Sequence, residues 1–169
     1  MIINNLDEMR DFALKFASLV KENDVINLIG EMGAGKTTFT GFFCQYFAIK
    51  DSSSPTFAIV NIYDGDKTIY HLDLYRIEDP DELLDIDYER YFYPEDAITI
   101  LEWAENGNGY LPSEMINIKI SKLGENSREI EILEDSKRGR QLNEYFSNWY
   151  IYYDFNSYYR KWWWNYRRL

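Results

Sequence analysis

The sequence predicts a single α/β domain, and three observations support this prediction. The chain has 169 residues, of which 46% are hydrophobic and 28% charged, as is typical of a globular domain with a sizeable core. Segments with apolar residues at helical spacing occur between short apolar runs typical of buried strands. Two pairs of β-rich runs also flank turn sequences, which indicates hairpins.

The N-terminal half begins with an amphipathic helix over residues 5–21, which have apolar side chains at helical spacing and acids in the first turn. The run DVINLIG then predicts a buried strand, and KTTFTGFFCQYFAI predicts a helix with a wide apolar face. The sequence DSSSP ends that helix, because serines before a proline favour an extended or turn conformation.

The remaining elements alternate in the same way. TFAIVNIY and TIYHLDLYRI surround the turn DGDK and predict a hairpin. EDPDELLDIDYERYF has a proline near its start and acids in its first turn, which predicts a helix. AITILEW predicts a buried strand, and MINIKIS and SREIEIL predict a second hairpin around KLGEN. We therefore expect a domain over residues 1–135, followed by a helical tail over residues 136–169.

A phosphate-binding loop is the strongest functional signal. Gly30, Gly35, Lys36 and Thr37 match G-x-x-x-x-G-K-[ST], between a predicted strand and a predicted helix. Such a loop directs backbone N–H groups and a helix N-terminus toward phosphates, with the lysine at the terminal phosphates and the threonine hydroxyl on Mg²⁺. The predicted nucleotide-contacting residues are Gly30, Glu31, Met32, Gly33, Ala34, Gly35, Lys36, Thr37 and Thr38.

Two acids are candidates for the rest of the site. Glu102 ends the strand AITILE, a layout that places a carboxylate near the phosphate loop as a candidate ligand of Mg²⁺; the alternative is an ordinary acid at a strand end. In TIYHLDLYR, Asp73 lies on the same face as His71 and Tyr75. Asp73 is a candidate to hold Mg²⁺ or orient water, and His71 or Arg76 to contact phosphate or a partner. The alternative is a half-exposed strand with a polar outer face.

A threonine in SSPTF, Thr56, occupies the place where many such proteins have a switch loop that orders around Mg²⁺ and the terminal phosphate. Ser-Pro-Thr is also ordinary turn chemistry. The residues alone leave this choice open.

Four segments, GEMGAGKTTF, SSPTFAIVNIY, HLDLYRIEDPDEL and ILEWAE…LP, occur in the order and spacing of one family. Over residues 5–133 the chain resembles TsaE (older name YjeE), the small ATPase of bacterial tRNA threonylcarbamoyladenosine synthesis. The resemblance implies a P-loop NTPase-like fold, with a mixed central sheet flanked by helices, and weak ATP hydrolysis. It also implies ATP or ADP and Mg²⁺ as ligands, a complex of TsaD and TsaB as partner, and tRNA as an indirect one.

The resemblance also assigns roles to residues. Lys36 and Thr37 become the phosphate and Mg²⁺ ligands, Thr56 the switch threonine, and Asp73 the acid that assists hydrolysis or holds the metal. Glu102 becomes the Walker B-like acid. Trp103 either lies beside the site or belongs to the core. The resemblance places His71, Tyr75 and Arg76 in the cleft or on the partner surface.

Three positions or segments depart from the family pattern. Glu31 stands where the family often has Asp, and Asp87 stands where it usually has Gly; Asp is tolerated there if the position needs a positive φ. Residues 145–169 hold 13 aromatic residues, outside the family pattern. A stripe in this tail predicts a helix that caps the sheet, docks a protein partner or stacks on tRNA; its members are Tyr145, Trp149, Tyr152, Tyr159, Trp163 and Tyr166.

Composition narrows the class of function. The net charge of −11 argues against nucleic acid as the main direct partner. The chain has no apolar run of about 18 residues and no secretion signal, and its single cysteine, Cys44, fits a reducing cytosol. We therefore expect a cytoplasmic protein without a membrane contact.

Three other kinds of nucleotide-binding protein are weighed against an ATPase subunit. A P-loop kinase of a nucleoside or small metabolite is the alternative, but residues 78–105 contain one basic residue, Arg90, instead of an arginine-bearing lid. A GTPase lacks support because N-K-x-D is absent. The two acids Asp73 and Glu102 argue against a non-catalytic adaptor.

Overall fold

A seven-stranded sheet lies at the centre of the protein. The structure, a computed structural model, describes residues 1–52 and 59–155, with side chains up to residue 149. The strands it contains are Ile2–Ile3 (β1), Val25–Ile29 (β2), Val60–Tyr63 (β3), Thr68–Asp73 (β4), Ala97–Glu102 (β5), Met115–Lys122 (β6) and Arg128–Ile132 (β7). The α-helices are Leu6–Ala17 (α1), Lys36–Tyr46 (α2), Tyr88–Phe92 (α3) and Lys137–Phe155 (α4).

The sheet is mixed, as the resemblance implied. Its order is β1-β7-β6-β2-β5-β4-β3. The four central strands β6, β2, β5 and β4 are parallel, whereas β3, β7 and β1 join antiparallel at the two edges. Because parallel strands end at the same side of a sheet, the loop after β2 and the last residues of β4 and β5 meet there.

One face of the sheet is covered by α1, α2 and α4, and their contact is built from phenylalanines. Phe12 and Phe16 of α1 pack against Phe39 of α2, with ring centroids 5.8 Å apart in both pairs. Phe146 of α4 packs on Phe12 at 5.0 Å and on Phe16 at 6.0 Å. These rings are all fully or almost fully buried, so the three helices share one core with the sheet.

The other face of the sheet carries a smaller core under short helical turns. Leu72 and Leu101 of the sheet pack there with Leu83 and Phe92. The helix predicted over residues 78–92 is instead a 3₁₀ segment, Pro80–Ile86, followed by α3. Asp87 lies between the two and has φ 53°. A residue in this left-handed conformation interrupts helical hydrogen bonding, so the helix does not continue through it. Position 87 thus needs a positive φ, which glycine adopts readily and aspartate tolerates.

The described part of the C-terminal tail belongs to the main core. In α4, Leu142 and Phe146 are 3% and 1% exposed. The predicted stripe is therefore partly correct: its member Trp149 packs against the core beside Phe146, while its member Tyr145 is 38% exposed. Arg138 fixes the start of α4 by donating to both carboxylate oxygens of Asp24, at 3.0 and 2.7 Å. This part of the tail thus caps the domain's own core, the first of the three predicted roles, whereas partner docking and stacking on tRNA stay predictions.

The side chains of Tyr152, Tyr159, Trp163 and Tyr166 lie outside the described part of the chain. Within the described residues, none of the helices combines the length and apolarity that a membrane span requires.

Candidate functional site

The phosphate loop connects β2 to α2 and has the backbone that its glycines permit. Gly33 has φ 79° and Gly35 has φ 112°, a left-handed region that L side chains rarely adopt. At Gly30 the restriction is steric, since an added Cβ would lie 2.4 Å from the backbone oxygen of Ile120. The loop thus runs against β6 and turns directly into α2, whose free N–H groups form a natural anion site.

Lys36, the first residue of α2, folds back over this loop. Its Nζ donates to the backbone oxygen of Gly30 at 2.6 Å and to that of Glu31 at 3.3 Å. The ammonium also lies 4.7 Å from the ring centroid of Trp103 and is largely buried. A cation held at the mouth of a phosphate loop suits an anionic ligand.

Glu102, at the end of β5, faces this lysine. Its Oε2 lies 3.9 Å from Nζ of Lys36, and both side chains are about 95% buried, at 5% and 6% exposure. A buried carboxylate is tolerated only with partners of this kind. Glu102 is therefore a buried acid paired with Lys36, and its role as a ligand of Mg²⁺ stays a prediction.

A series of hydrogen-bonded polar side chains leads from Glu102 to β3. His71 Nε2 lies 3.0 Å from Glu102 Oε1, and His71 Nδ1 lies 3.2 Å from the hydroxyl of Tyr63. Asn61 donates to the same hydroxyl at 3.2 Å. This order suits an imidazole with its proton on Nε2, because a carboxylate accepts and Tyr63 then donates to Nδ1.

The structure corrects the prediction for His71. Its side chain is fully buried, with Tyr63 of β3 and Glu102 of β5 as its partners, so it offers no exposed surface to a phosphate or a partner. The polar alternation of β4 predicted a cleft-lining face, but His71 lies on the same face of β4 as Ile69, which belongs to the larger core. Its role at the site is through Glu102.

Asp73 ends β4 beside Glu102, since the two residues are Cα partners in the parallel ladder. Its Oδ1 accepts from the backbone N–H of Tyr75 at 3.0 Å and starts a 3₁₀ turn over Leu74–Arg76. Burial raises the pKa of Asp73, and the charge of Glu102 adds to that shift. Two carboxylates side by side, one buried and one half-buried, form an acidic corner next to Lys36.

Aromatic rings close one side of this corner. Trp103 follows Glu102 with φ 58°, a left-handed conformation that is rare for a bulky residue. Its ring lies 5.2 Å from that of Tyr75 and also packs against the smaller core. Trp103 thus belongs both to the site and to the core, whereas Tyr75 and Arg76 are exposed.

The other predicted loop residues take up different positions. Thr37 is exposed in the first turn of α2, with Thr38 beside it half-buried. Glu31 and Met32 are exposed at the tip of the loop, and Met32 is 73% exposed. Ala34 is buried. Thr56 lies outside the described residues.

The donor set fits a magnesium nucleotide. Among the described residues, no group of three or more His, Cys, Asp and Glu side chains is arranged to hold a metal by itself. Mg²⁺ in phosphate-transfer proteins takes one or two protein oxygens and completes its shell with phosphate and water. Thr37, Asp73 and Glu102 supply oxygens of that kind, and the glycine loop supplies the amides.

Sequence reasoning missed two residues that touch this machinery. Tyr63 was read only as part of a hairpin strand, and Arg128 only as part of an alternating strand. Arg128 donates from Nε to the backbone oxygen of Ala34, at 2.7 Å. Nothing in the local pattern signals that contact, because the partner is 94 residues away along the chain.

Comparison with known sequences matches this chain to one family. The family model for "Threonylcarbamoyl adenosine biosynthesis protein TsaE" matches residues 3–130. A protein named tRNA threonylcarbamoyladenosine biosynthesis protein TsaE from Bacillus subtilis (strain 168) is 37% identical over 142 residues, covering 83% of this chain and 88% of that one. The protein of the same name from Haemophilus influenzae is 35% identical over 147 residues, covering 83% and 92%.

A solved structure agrees with these sequence relatives. The crystal structure of Bacillus subtilis YdiB superposes with a TM-score of 0.73 at 32% identity, covering 88% of this chain and 93% of that one. The mixed sheet with its flanking helices is therefore the fold of a solved relative.

Proposed function

The chain belongs to the TsaE family of threonylcarbamoyladenosine biosynthesis proteins, and we propose that it serves that pathway as an ATP-binding, slowly ATP-hydrolysing subunit. The observation that carries the proposal is the pairing of Lys36 with Glu102, 3.9 Å apart, at the N-terminus of the helix that follows the glycine loop. A buried cation and a buried acid at this position are the two charges that a magnesium nucleotide needs.

Binding is assigned to the loop over residues 30–38. Its glycines permit the turn, and the first amides of α2 face the ligand side, where they are available to phosphate oxygens. Lys36 now donates to two loop carbonyls and would move its ammonium the short distance to a terminal phosphate. The hydroxyl of Thr37 would ligate Mg²⁺.

Hydrolysis is assigned to the acidic corner. ATP and Mg²⁺ supply the phosphoryl group and the neutralising charge when bound. Glu102, held in place by His71, would orient the metal or a water of its shell. Asp73, whose raised pKa makes it a better proton acceptor than an ordinary aspartate, would orient the attacking water. The chain lacks an evident acceptor pocket motif, so slow transfer to water is favoured.

We propose that ATP hydrolysis changes the state of a partner protein complex. The family resemblance points to TsaD and TsaB as the partners and to t6A37 of tRNA as the final product. The net charge of −11 supports protein partners, with tRNA contacted indirectly.

The test is reconstitution with purified components. The full chain is incubated with TsaD and TsaB homologues and MgATP, and both complex recovery and phosphate release are measured. The expected result is recovery of both partners and hydrolysis that Lys36→Ala abolishes, while Lys119→Ala, a surface lysine paired with Glu131, does not. Transfer of phosphate to a nucleoside or metabolite would instead identify a kinase, and no nucleotide binding would overturn the proposal.

A further inference from the structure

Arg128, the first residue of β7, reaches behind the phosphate loop. Its Nε donates to the backbone oxygen of Ala34 at 2.7 Å, and its Nη2 lies 3.5 Å from that of Gly33. An added Cβ on Gly35 would lie 3.8 Å from the same Nε. The guanidinium thus lies against three successive residues of the loop.

The other end of the guanidinium is fixed to the turn between β6 and β7. Nη1 donates to the backbone oxygens of Gly124 at 3.0 Å and Ser127 at 2.8 Å. Arginine is suited to this task because its donors form a rigid planar fork. The side chain therefore connects the loop to a tight turn of the sheet, across 94 residues of sequence.

The contact with Ala34 determines how one loop peptide is oriented. In a trans peptide the C=O and the next N–H point in opposite directions. A donor that holds the carbonyl of Ala34 therefore directs the N–H of Gly35 away from Arg128. The N–H of Ala34 already donates to the oxygen of Glu31, so the Gly35 amide is the loop donor that this bond orients.

The charge of Arg128 also acts on the loop. Among the described residues, no carboxylate forms an ion pair with it, and its donors all go to backbone oxygens. The guanidinium is positively charged. Its positive charge therefore adds to the dipole of α2 at the phosphate site.

We propose that Arg128 is a positioning residue for nucleotide binding: it holds the Ala34–Gly35 peptide so that the Gly35 amide is ready for a phosphate oxygen. The inference rests on the proposed nucleotide binding. It assigns the function of a residue that does not itself touch the ligand.

The experiment compares Arg128→Gln, Arg128→Lys and a matched control in the full chain. The control is Lys122→Gln, because Lys122 is the Cα partner of Arg128 in the β6–β7 ladder and is exposed. Three quantities are measured: affinity for MgADP by calorimetry, the amide resonance of Gly35 in nucleotide-free protein by NMR, and the melting temperature.

Arg128→Gln is expected to weaken MgADP affinity by roughly tenfold, because the Gly35 amide would lose its hydrogen bond to a charged phosphate oxygen. It should also shift the Gly35 resonance, whereas Lys122→Gln changes neither. Arg128→Lys keeps the charge but not the fork, and it should lie between the two. If Arg128→Gln does not fold, the lysine variant is measured alone and must bind at least several-fold more weakly than wild type.

Three results separate the alternatives. Wild-type affinity and an unchanged Gly35 resonance in the variants would overturn the inference. A lower melting temperature with wild-type affinity would overturn it too, because a merely structural arginine behaves in that way. If wild-type protein binds no MgADP, the proposed function fails, and the Gly35 resonance alone then decides whether Arg128 orients the peptide.

Discussion

His71 Nε2 lies 3.0 Å from Glu102 Oε1, and the two side chains are 1% and 5% exposed. The acid that faces Lys36 therefore has its geometry set by a neighbouring strand. His71 is in β4 and Glu102 ends β5, so the parallel pairing of these strands is itself part of the site.

His71→Ala should destabilise the protein by about 1–3 kcal/mol, because it leaves the buried carboxylate of Glu102 without its donor. Nucleotide affinity should fall as well, since Glu102 can then rotate. Tyr63→Phe is the matched control: it removes the hydroxyl behind His71 and leaves the bond to Glu102. Urea unfolding and calorimetry measure the two effects. Equal losses in both variants would contradict a specific role for the His71–Glu102 bond.

Asp73→Asn should bind nucleotide, lose hydrolysis and be at least as stable as wild type at neutral pH. The folded state raises the pKa of Asp73 above its ordinary value of 3.8, so ionising it opposes folding. That unfavourable effect appears as the pH rises through this ordinary value, and it is complete above the raised pKa. Asn still caps the turn at Tyr75, because its side-chain oxygen accepts as the carboxylate does.

The check for Asp73 is a pair of unfolding series at pH 3 and pH 7. The stability of Asp73→Asn relative to wild type should increase between these pH values. A variant that is several degrees less stable at pH 7, or that hydrolyses ATP normally, would show that Asp73 serves structure instead.

Gly30→Ala should destabilise the fold more than Gly33→Ala. The new Cβ at Gly30 would lie 2.4 Å from a backbone oxygen of β6, so strands must shift, at a cost typical of overpacking of about 1–3 kcal/mol. At Gly33 there is open space around the new Cβ, and only the positive φ of 79° opposes it, at about 1 kcal/mol. The melting temperatures of the two variants test this prediction. A lower melting temperature for Gly33→Ala than for Gly30→Ala would contradict the loop geometry.

Phe146→Ala should lower the free energy of unfolding by about 3–5 kcal/mol, the usual cost of removing a buried aromatic ring. Tyr145→Ala, one position away and 38% exposed, should cost no more than about 1 kcal/mol. Chemical denaturation of the two variants measures the difference. Similar losses would mean that α4 does not pack on α1 as the structure places it.

The same contact sets where the tail can be shortened. Removing residues 145–169 would take Phe146 out of the core, so loss of partner binding in that deletion would report only unfolding. A deletion that begins at residue 156 keeps the described helix and tests partner binding by the rest of the tail.

The sequence predicted the site better than its surroundings, for physical reasons. The phosphate loop and the acids at the ends of β4 and β5 depend on local rules of turn chemistry and strand period, which the sequence displays directly. Burial of His71 depends on whether that face of β4 lies against the core or the solvent, which the alternation of β4 alone does not tell. The contact of Arg128 with Ala34 depends on the sheet order over 94 residues. The predicted helix over residues 78–92 is divided in two by the left-handed φ of a single residue, Asp87, which the helical pattern does not show.

The two-residue strand Ile2–Ile3 pairs with β7, so Ile2 lies opposite Glu129 and Ile3 opposite Arg128. Because β1 leaves the ribosome well before β7, this edge of the sheet cannot form until β7 has emerged. Phe12 and Phe16 likewise cannot complete their packing until Phe146 has been synthesised. Nascent chains stalled at increasing lengths should resist protease only when almost all of the described domain has emerged, because contacts between distant segments delay folding. The protein is thus expected to depend on protection of its unfinished chain during translation.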